Sequence, residues 1–410
     1  MPPDAARWRR FSDVFARTVE DAGYACIIPP MFEDLGVFRR LGEATDVVTK
    51  EMYDFEDKGG RHIALRPEQT ASVCRAFAQH RPATPWKVWY SGPNFRYEKA
   101  QAGRYRQFDQ VGIEVLGTDD PDIDVEVIFL GWNFYRRLGL SNITLMINSL
   151  GDTTDRQRYV DALAAHFASR VSTLSEEAQR TLEKNPLRVL DSKRDQDKAA
   201  VESAPLLKDF LSDDARSHFA RVCEGLKELD VSFVVNDRLV RGLDYYRRTT
   251  FEYISTALES AQNAVGGGGR YDGLVEELGG PATHGIGFAL GVDRTLLACD
   301  AEGVFPAPAA SVDVFIVDVV DGRQARALTH DLRRLGISAD RAFDGRSMKS
   351  QMKAADRSGA AVAIIIGEDE VSSATCVVRR LDSSDQVVIP RVDLVDYLGS
   401  LGLTPSTETA

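Results

Sequence analysis

Residues 95–117 read FRYEKAQAGRYRQFDQVGIEVLG. The second half, through Val111-Gly112-Ile113-Glu114-Val115, has the alternation of a half-buried strand. Strand side chains four residues apart share a face, so Gln110 and Glu114 point the same way. In the first half Arg96, Lys99, Arg104 and Arg106 interleave with Tyr97 and Tyr105, and Lys87 lies upstream among Trp86, Trp89 and Tyr90. A local basic patch of this kind can engage phosphates; a solvated charged hairpin with core aromatics is the competing reading. Arginine inside a strand-rich segment is costly unless it is paired or serves an anion. The pattern recurs with Arg66 and Glu68 in LRPEQTA, Arg241 and Asp244 in RGLDYY, and Arg294 in GVDR. Several guanidinium forks together suit a triphosphate. For any one of them, structural pairing with a carboxylate is an even competitor, and spacing alone leaves the ligand unnamed.

Outward from this stretch, residues 4–23 have the spacing of an amphipathic helix, with Trp8, Phe11, Phe15, Val19 and Ala22 on one face and Gly23 at its end. Short strands follow up to Val115, then a helix over 124–138 and a strand over 143–147. Helical spacing and charge dominate from about Asp155 to Leu229, which reads as an inserted helical segment. Strands return at 231–235 and 249–254. Gly266 to Gly269 are expected to form a flexible connection that, like 99–103, could close on a ligand. Residues 301–310, AEGVFPAPAA, have linker composition. Beyond them a strand at 312–317, helices ending near Gly336 and Gly359, and a strand at 361–366 give a βαβαβ order, hence a small α/β domain with a largely parallel sheet.

The chain has 410 residues, 43% of them hydrophobic, enough for two or three domains with real cores. Its net charge of −12 argues against indiscriminate polyanion binding. Five widely spaced cysteines without a CxxC pair indicate neither a disulfide framework nor a zinc site. The start leads into a charged helix rather than an apolar signal region, and no apolar run suits a membrane span, so a cytoplasmic location is expected. There is no GxxxxGK[ST] loop and no GxSxG, the glycine run does not complete GxGxxG, and the six histidines lack ligand spacing.

Several passages in order along nearly the whole chain resemble the histidyl-tRNA synthetases, a family of class II aminoacyl-tRNA synthetases. They are residues 42–71 (GEATDVVTKEMYDFEDKGGRHIALRPEQTA), 95–117, 239–252 (LVRGLDYYRRTTFE), 268–280 (GGRYDGLVEELGG) and 285–294 (GIGFALGVDR). The tail segment 344–370 is similar to that family's anticodon-binding domain. The resemblance implies an α+β catalytic core built on an antiparallel sheet flanked by helices, with a helical insertion and a C-terminal α/β domain. The boundaries expected are 1–154 and 231–300 for the core, 155–230 for the insertion, 301–310 for the linker, 311–400 for the anticodon-binding domain and 401–410 for a flexible tail. It also implies an activity: L-histidine is activated with ATP and passed to the 3′ end of tRNA(His), by a cytoplasmic homodimer with no DNA or membrane partner.

Residue by residue, the resemblance implies that Arg96 grips the α-phosphate and Glu98 the adenine amino group. Arg104 and Arg294 hold the outer phosphates, with Mg2+ carried mainly by ATP and no protein metal site. Arg241 adds a cation at the α-phosphate, so Arg96 and Arg241 are the catalytic pair. Glu68, Thr70 and Gln110 bind the α-amino end of histidine, and Arg241 borders it. Glu114 accepts a ring N–H, with Tyr245, Tyr246 and Tyr271 closing the pocket. A strand-end ion pair of Glu114 with Arg106 or a neighbour is the competing reading. The loop holding Lys99 and Gln101 approaches the tRNA acceptor end, the insertion embraces the acceptor stem, and Pro30 sits in the dimer-interface motif.

Departures are Lys99, where the family often has arginine, and Gln69, where it usually has glycine and where a shift of the Glu68 backbone or crowding of the pocket is expected. The family also usually opens with a KGTRD-like segment before the start seen here at Met1-Pro2-Pro3-Asp4, so a shortened or divergent start is expected. Two rivals are a non-catalytic histidine-sensing paralogue, such as the regulatory subunit of ATP phosphoribosyltransferase, and a synthetase-like sensor module of a stress kinase. The first usually lacks RGLDYY and the C-terminal domain; the second would carry a kinase sequence.

Overall fold

A computed structural model describes residues 1, 3–39, 47–99, 103–192, 194–239, 245–259, 263–308 and 312–403. Contacts divide the chain into Arg7–Pro306 and, with Met1–Ala6, Ala307–Ala410. Among the described residues no helix is long and apolar enough to cross a membrane.

In the larger unit the elements run α1 (Asp4–Glu20), β1 (Ala25–Cys26), β2 (Phe32–Asp34), α2 (Leu35–Arg39), β3 (Asp54–Glu56), β4 (His62–Leu65), α3 (Thr70–His80), β5 (Trp86–Phe95), β6 (Gln107–Leu116), α4 (Pro121–Arg137) and β7 (Ile143–Ser149). The inserted helices α5 (Thr153–Ala168), α6 (Glu176–Lys184), α7 (Asp195–Glu202) and α8 (Asp213–Glu228) follow. Then come β8 (Phe233–Val235), β9 (Arg247–Ser255), β10 (Ala264–Arg270), α9 (Leu274–Glu277), β11 (Gly285–Gly291) and α10 (Val292–Glu302). Eight strands form one sheet in the order β1-β5-β6-β11-β10-β9-β7-β8, antiparallel except at its two edges. A small second sheet has the order β2-β4-β3.

Alternation along β6 sorts the two faces of the sheet. Val111, Ile113 and Val115 join the core under α1, α4, α8 and α10, where Phe11 and Phe15 meet the Phe134 ring edge-on at 5.0 and 5.1 Å. Gln110, Gly112 and Glu114 therefore face the other side. Core packing continues into the expected linker: α10 runs to Glu302, and Phe305 is buried against α1, its carbonyl bound by Arg7 Nε at 2.7 Å.

Gly266 to Gly269 correct the expectation of a flexible connection, because they form the middle of β10. Gly268 pairs with Phe288 on one side and Phe251 on the other, and a Cβ there would come within 2.0 Å of the Gly287 carbonyl oxygen. Glycine lets three backbones lie close here; it does not loosen the chain.

The smaller unit holds β12 (Val314–Asp318), α11 (Arg323–Arg334), β13 (Ala339–Arg341), α12 (Met348–Ser358), β14 (Val362–Ile366), α13 (Glu368–Ser373), β15 (Thr375–Arg380), β16 (Gln386–Pro390) and α14 (Leu394–Ser400). Its sheet order is β13-β12-β14-β15-β16: the first three strands are parallel, as the βαβαβ pattern requires, and the last two antiparallel. Residues 404–410 of the expected tail lie outside the described residues.

Candidate active site

The site face of the large sheet carries an open cleft of about 240 Å³. Arg96, Glu98, Arg104 and Arg294 line one region, and Glu68, Gln69, Thr70, Gln110, Tyr245, Tyr246 and Tyr271 another. Arg241 and Gln101 lie outside the described residues; Lys99 is exposed.

The cationic end is built by a hairpin and a helix start. The β5–β6 ladder continues outward as Arg96 N donates to the Arg106 carbonyl at 2.9 Å. Arg96 Nε donates to the Pro67 carbonyl at 2.9 Å and its guanidinium lies 5.2 Å from the Phe108 ring centroid. Arg294, in the first turn of α10, donates to the carbonyls of Gly103 (3.0 Å) and Ala264 (3.1 Å). Burial, and then the like charge of Arg104, lower its pKa. Arg104 reaches Glu98 at 3.4 Å. Cations gathered in a half-buried cleft repel one another, and an anionic ligand relieves that repulsion.

One member of the basic patch, Lys87, and one of the other singled-out arginines, Arg66, do not belong here. Lys87 pairs with Glu126 at 2.7 Å on the far side of the sheet. Arg66 is buried and donates to the carbonyls of Pro29 (2.6 Å), Pro30 (3.4 Å) and Pro93 (2.7 Å), so its role is structural.

At the opposite end, Glu68 precedes α3 and its carboxylate accepts from the backbone N–H of Thr70 and of Ala71, each at 2.8 Å. This caps the helix start. Burial nonetheless raises its pKa. Gln69 is 1% exposed and lines the cleft beside Glu68, which keeps both bonds.

Glu114 is 1% exposed and stands behind the cleft wall. Its Oε1 accepts from Thr70 Oγ1 (2.6 Å) and Tyr90 Oη (3.1 Å), and its Oε2 from Tyr271 Oη (2.5 Å). All three donors line the cleft. The competing ion pair to Arg106 is not formed; Arg106 instead lies over the Tyr97 ring at 4.4 Å. Burial first of all pushes the Glu114 carboxyl up to about 8. Its partner across the ladder is Gly287, where a Cβ would come within 1.8 Å of Oε2.

Sequence reasoning missed Asn94, Asp109 and Asp293, and took Tyr90 only as part of the patch. Asn94 is buried and its Nδ2 donates to Gln110 Oε1 at 2.8 Å, which leaves the Gln110 NH2 to face a ligand. Alternation along β5 was the available signal, since Tyr90, Gly92 and Asn94 face as Gln110 and Gly112 do. Asp109 and Asp293 line the cleft, their pKa values raised chiefly by burial. Among the described residues no three His, Cys, Asp or Glu side chains converge to hold a metal ion.

In the smaller unit, the loops after β12 and β13 enclose a second cleft lined by Arg323, Arg326, Arg341, Arg346 and Phe343. The Arg341 guanidinium lies over the exposed Phe343 ring at 4.4 Å.

A cleft on an antiparallel sheet, with arginines crowded at one end and buried carboxylates near the other, suits an anionic ligand beside a small polar one. Comparison with known proteins makes this specific. Residues 1–295 match the family model for histidyl-tRNA synthetase, and residues 313–401 that for the anticodon binding domain. The histidine–tRNA ligase of Rhodococcus erythropolis is 49% identical over 98% of this chain and 96% of its own length. That of Geobacillus thermodenitrificans is 45% identical over 97% and 95%. The crystal structure of apo histidyl-tRNA synthetase from S. aureus superposes with a TM-score of 0.83 at 36% identity, covering 97% of this chain and 96% of that one. The chain belongs to the histidyl-tRNA synthetase family.

Proposed function

We propose that this protein activates L-histidine with ATP and transfers the histidyl group to the 3′ end of tRNA(His). The observation that carries this reading is the single cleft with crowded arginines at one end and the Glu68–Glu114 pocket at the other. Histidine's carboxylate attacks the α-phosphorus, the bond to the β-phosphate oxygen breaks, and pyrophosphate leaves. A terminal ribose hydroxyl of the tRNA then attacks the histidyl carbonyl and AMP leaves. Alignment and fixed charge drive such a step without a covalent enzyme intermediate.

Arg96 serves the α-phosphate, Glu98 the adenine, and Arg104 and Arg294 the outer phosphates. Arg241 is assigned to the α-phosphate on family grounds. Mg2+ would travel with the ATP phosphates; no three His, Cys, Asp or Glu side chains among the described residues gather to hold it. Glu68 and Thr70 take the α-ammonium of histidine, while the Gln110 NH2 suits its carboxylate better. Glu114 is assigned to the imidazole N–H on family grounds, with Tyr245, Tyr246 and Tyr271 closing the pocket. Lys99 and Gln101 face the acceptor end, the helices α5 to α8 the acceptor stem, and the arginine cleft of the C-terminal unit the anticodon. The domain divisions at 154/155, 230/231, 300/301 and 310/311 are proposed on the same grounds. A regulatory paralogue is not favoured, because relatives that are ligases match this chain over nearly its whole length, C-terminal domain included.

The test is ATP–pyrophosphate exchange with each proteinogenic amino acid in turn, followed by charging of bulk tRNA. Exchange with histidine alone, then acylation, is the expected result; histidine binding without exchange would overturn it.

A homodimer is part of the proposal. Ile28 (88% exposed), Met31, Phe32 and Phe55 leave apolar surface beside Pro29 and Pro30, which Arg66 holds. Sedimentation well above micromolar concentration should show a dimer; a monomer would count against it. Five free cysteines accord with a reducing cytoplasm.

A further inference from the structure

A buried polar cluster outside the cleft joins the helical insertion to the strands that carry the pocket tyrosines. Asp124 and Arg270 are both 0% exposed, and their side chains meet at 2.7 Å. Asp124 Oδ2 also accepts from Thr249 Oγ1 at 2.6 Å and from His218 Nε2 at 2.8 Å. His218 comes from α8 of the insertion, Asp124 from α4, Thr249 from β9 and Arg270 from β10. The carboxylate fixes Nε2 as the donating nitrogen of His218. Nδ1 is then the acceptor facing Arg248 Nη1 at 3.5 Å.

The placement of these residues along the chain gives the cluster its significance. Arg270 immediately precedes Tyr271, whose hydroxyl donates to Glu114 at 2.5 Å. Arg248 and Thr249 closely follow Tyr245 and Tyr246. Arg248 has a left-handed backbone, φ 46°, and is also held by Asp152, at 2.7 Å, the residue that starts α5. The insertion thus grips the core at His218, and Asp152, the cap at its entrance, makes a second tie; each ends on a segment that supplies a pocket tyrosine.

We propose that Asp124, with His218 and Arg270, is a positioning cluster through which the insertion sets the tyrosine wall of the amino-acid pocket. The cluster touches no substrate. It acts by holding the Arg270–Tyr271 turn and the start of β9, so that the Tyr271 hydroxyl meets Glu114 before any ligand arrives. A buried charge whose hydrogen bonds are all satisfied has few alternative positions, which is what such positioning needs.

The inference rests on the proposed histidine site, and its test is chosen to fail separately. Histidine affinity is measured by titration calorimetry on the full chain, alongside the KM and kcat of exchange, for His218→Ala, His218→Gln and Thr249→Val. His218→Ala should weaken histidine binding several-fold and raise the KM for histidine, with kcat and the KM for ATP much less affected. His218→Gln, which can still donate to Asp124, should restore most of that loss. Thr249→Val, with a nearly unchanged shape, should move affinity in the same direction and serves if His218→Ala fails to fold. Unchanged histidine affinity in variants whose Tm has dropped would overturn the inference, since a merely structural cluster gives that result. Absence of exchange in the unmodified protein would instead sink the activity reading, while calorimetry still reports on the cluster.

Discussion

Glu114→Ala is expected to lose histidine-dependent pyrophosphate exchange by a factor on the order of 10^4, the scale on which polar pockets discriminate. Glu114 stands behind the cleft wall and accepts from Thr70, Tyr90 and Tyr271, all three of which line the cleft, so it is the acceptor that orients the hydroxyls a ligand meets. Alanine removes that acceptor and strands three buried hydroxyls, each of which costs free energy when unpaired. Near-normal exchange in this variant would remove Glu114 from the site. Glu114→Gln keeps the volume but turns one acceptor into a donor facing those hydroxyls, so it too should lose exchange.

The pair also makes a pH signature. Burial pushes the Glu114 carboxyl up to about 8, against about 4.3 for a free glutamate. The native state therefore holds a proton that the unfolded chain has released, and between those two values stability falls as pH rises. That contribution is complete below the unfolded value and lost as pH climbs through the folded one. Glutamine cannot ionise. Its Tm relative to the unmodified protein should therefore improve steadily from pH 5 to pH 8, and a constant difference would contradict the assignment.

How much of this was legible beforehand differs from element to element. The β6 alternation placed Gln110 and Glu114 on one face, and the structure keeps them there, because strand geometry is local. The βαβαβ order of the C-terminal unit was legible for the same reason. Gly266 to Gly269 were not. A glycine run looks like a hinge to any local rule, and only the partners β9 and β11 show that the missing side chains make room for backbone. Arg66 was equally opaque. Its sequence context matches that of the cleft arginines, but its fork is spent on three carbonyls, Pro29 and Pro30 ahead of β2 and Pro93 in β5. The identity of the amino acid came from resemblance, since a carboxylate on a strand does not by itself name an imidazole.

The contrast between Arg66 and Arg96 yields the other large effect. Arg96 lines the cleft with its Nε tied to the Pro67 carbonyl and its plane held near Phe108, so its Nη groups are the ones left for a ligand. Lysine would keep the charge but lose the fork and the stacking. Removing one preorganised donor from a transition-state anion costs about 10^2–10^3 in rate, and Arg96→Lys should lower the kcat of exchange by that factor while histidine affinity changes little. Arg66→Lys makes the opposite prediction. A single ammonium cannot span the carbonyls of Pro29 and Pro93, so the cost falls on Tm and on the dimer. Exchange kinetics, calorimetric histidine binding and thermal melts on the two variants separate the cases. A near-normal kcat in Arg96→Lys would mean that the charge alone, and not the fork, serves the α-phosphate.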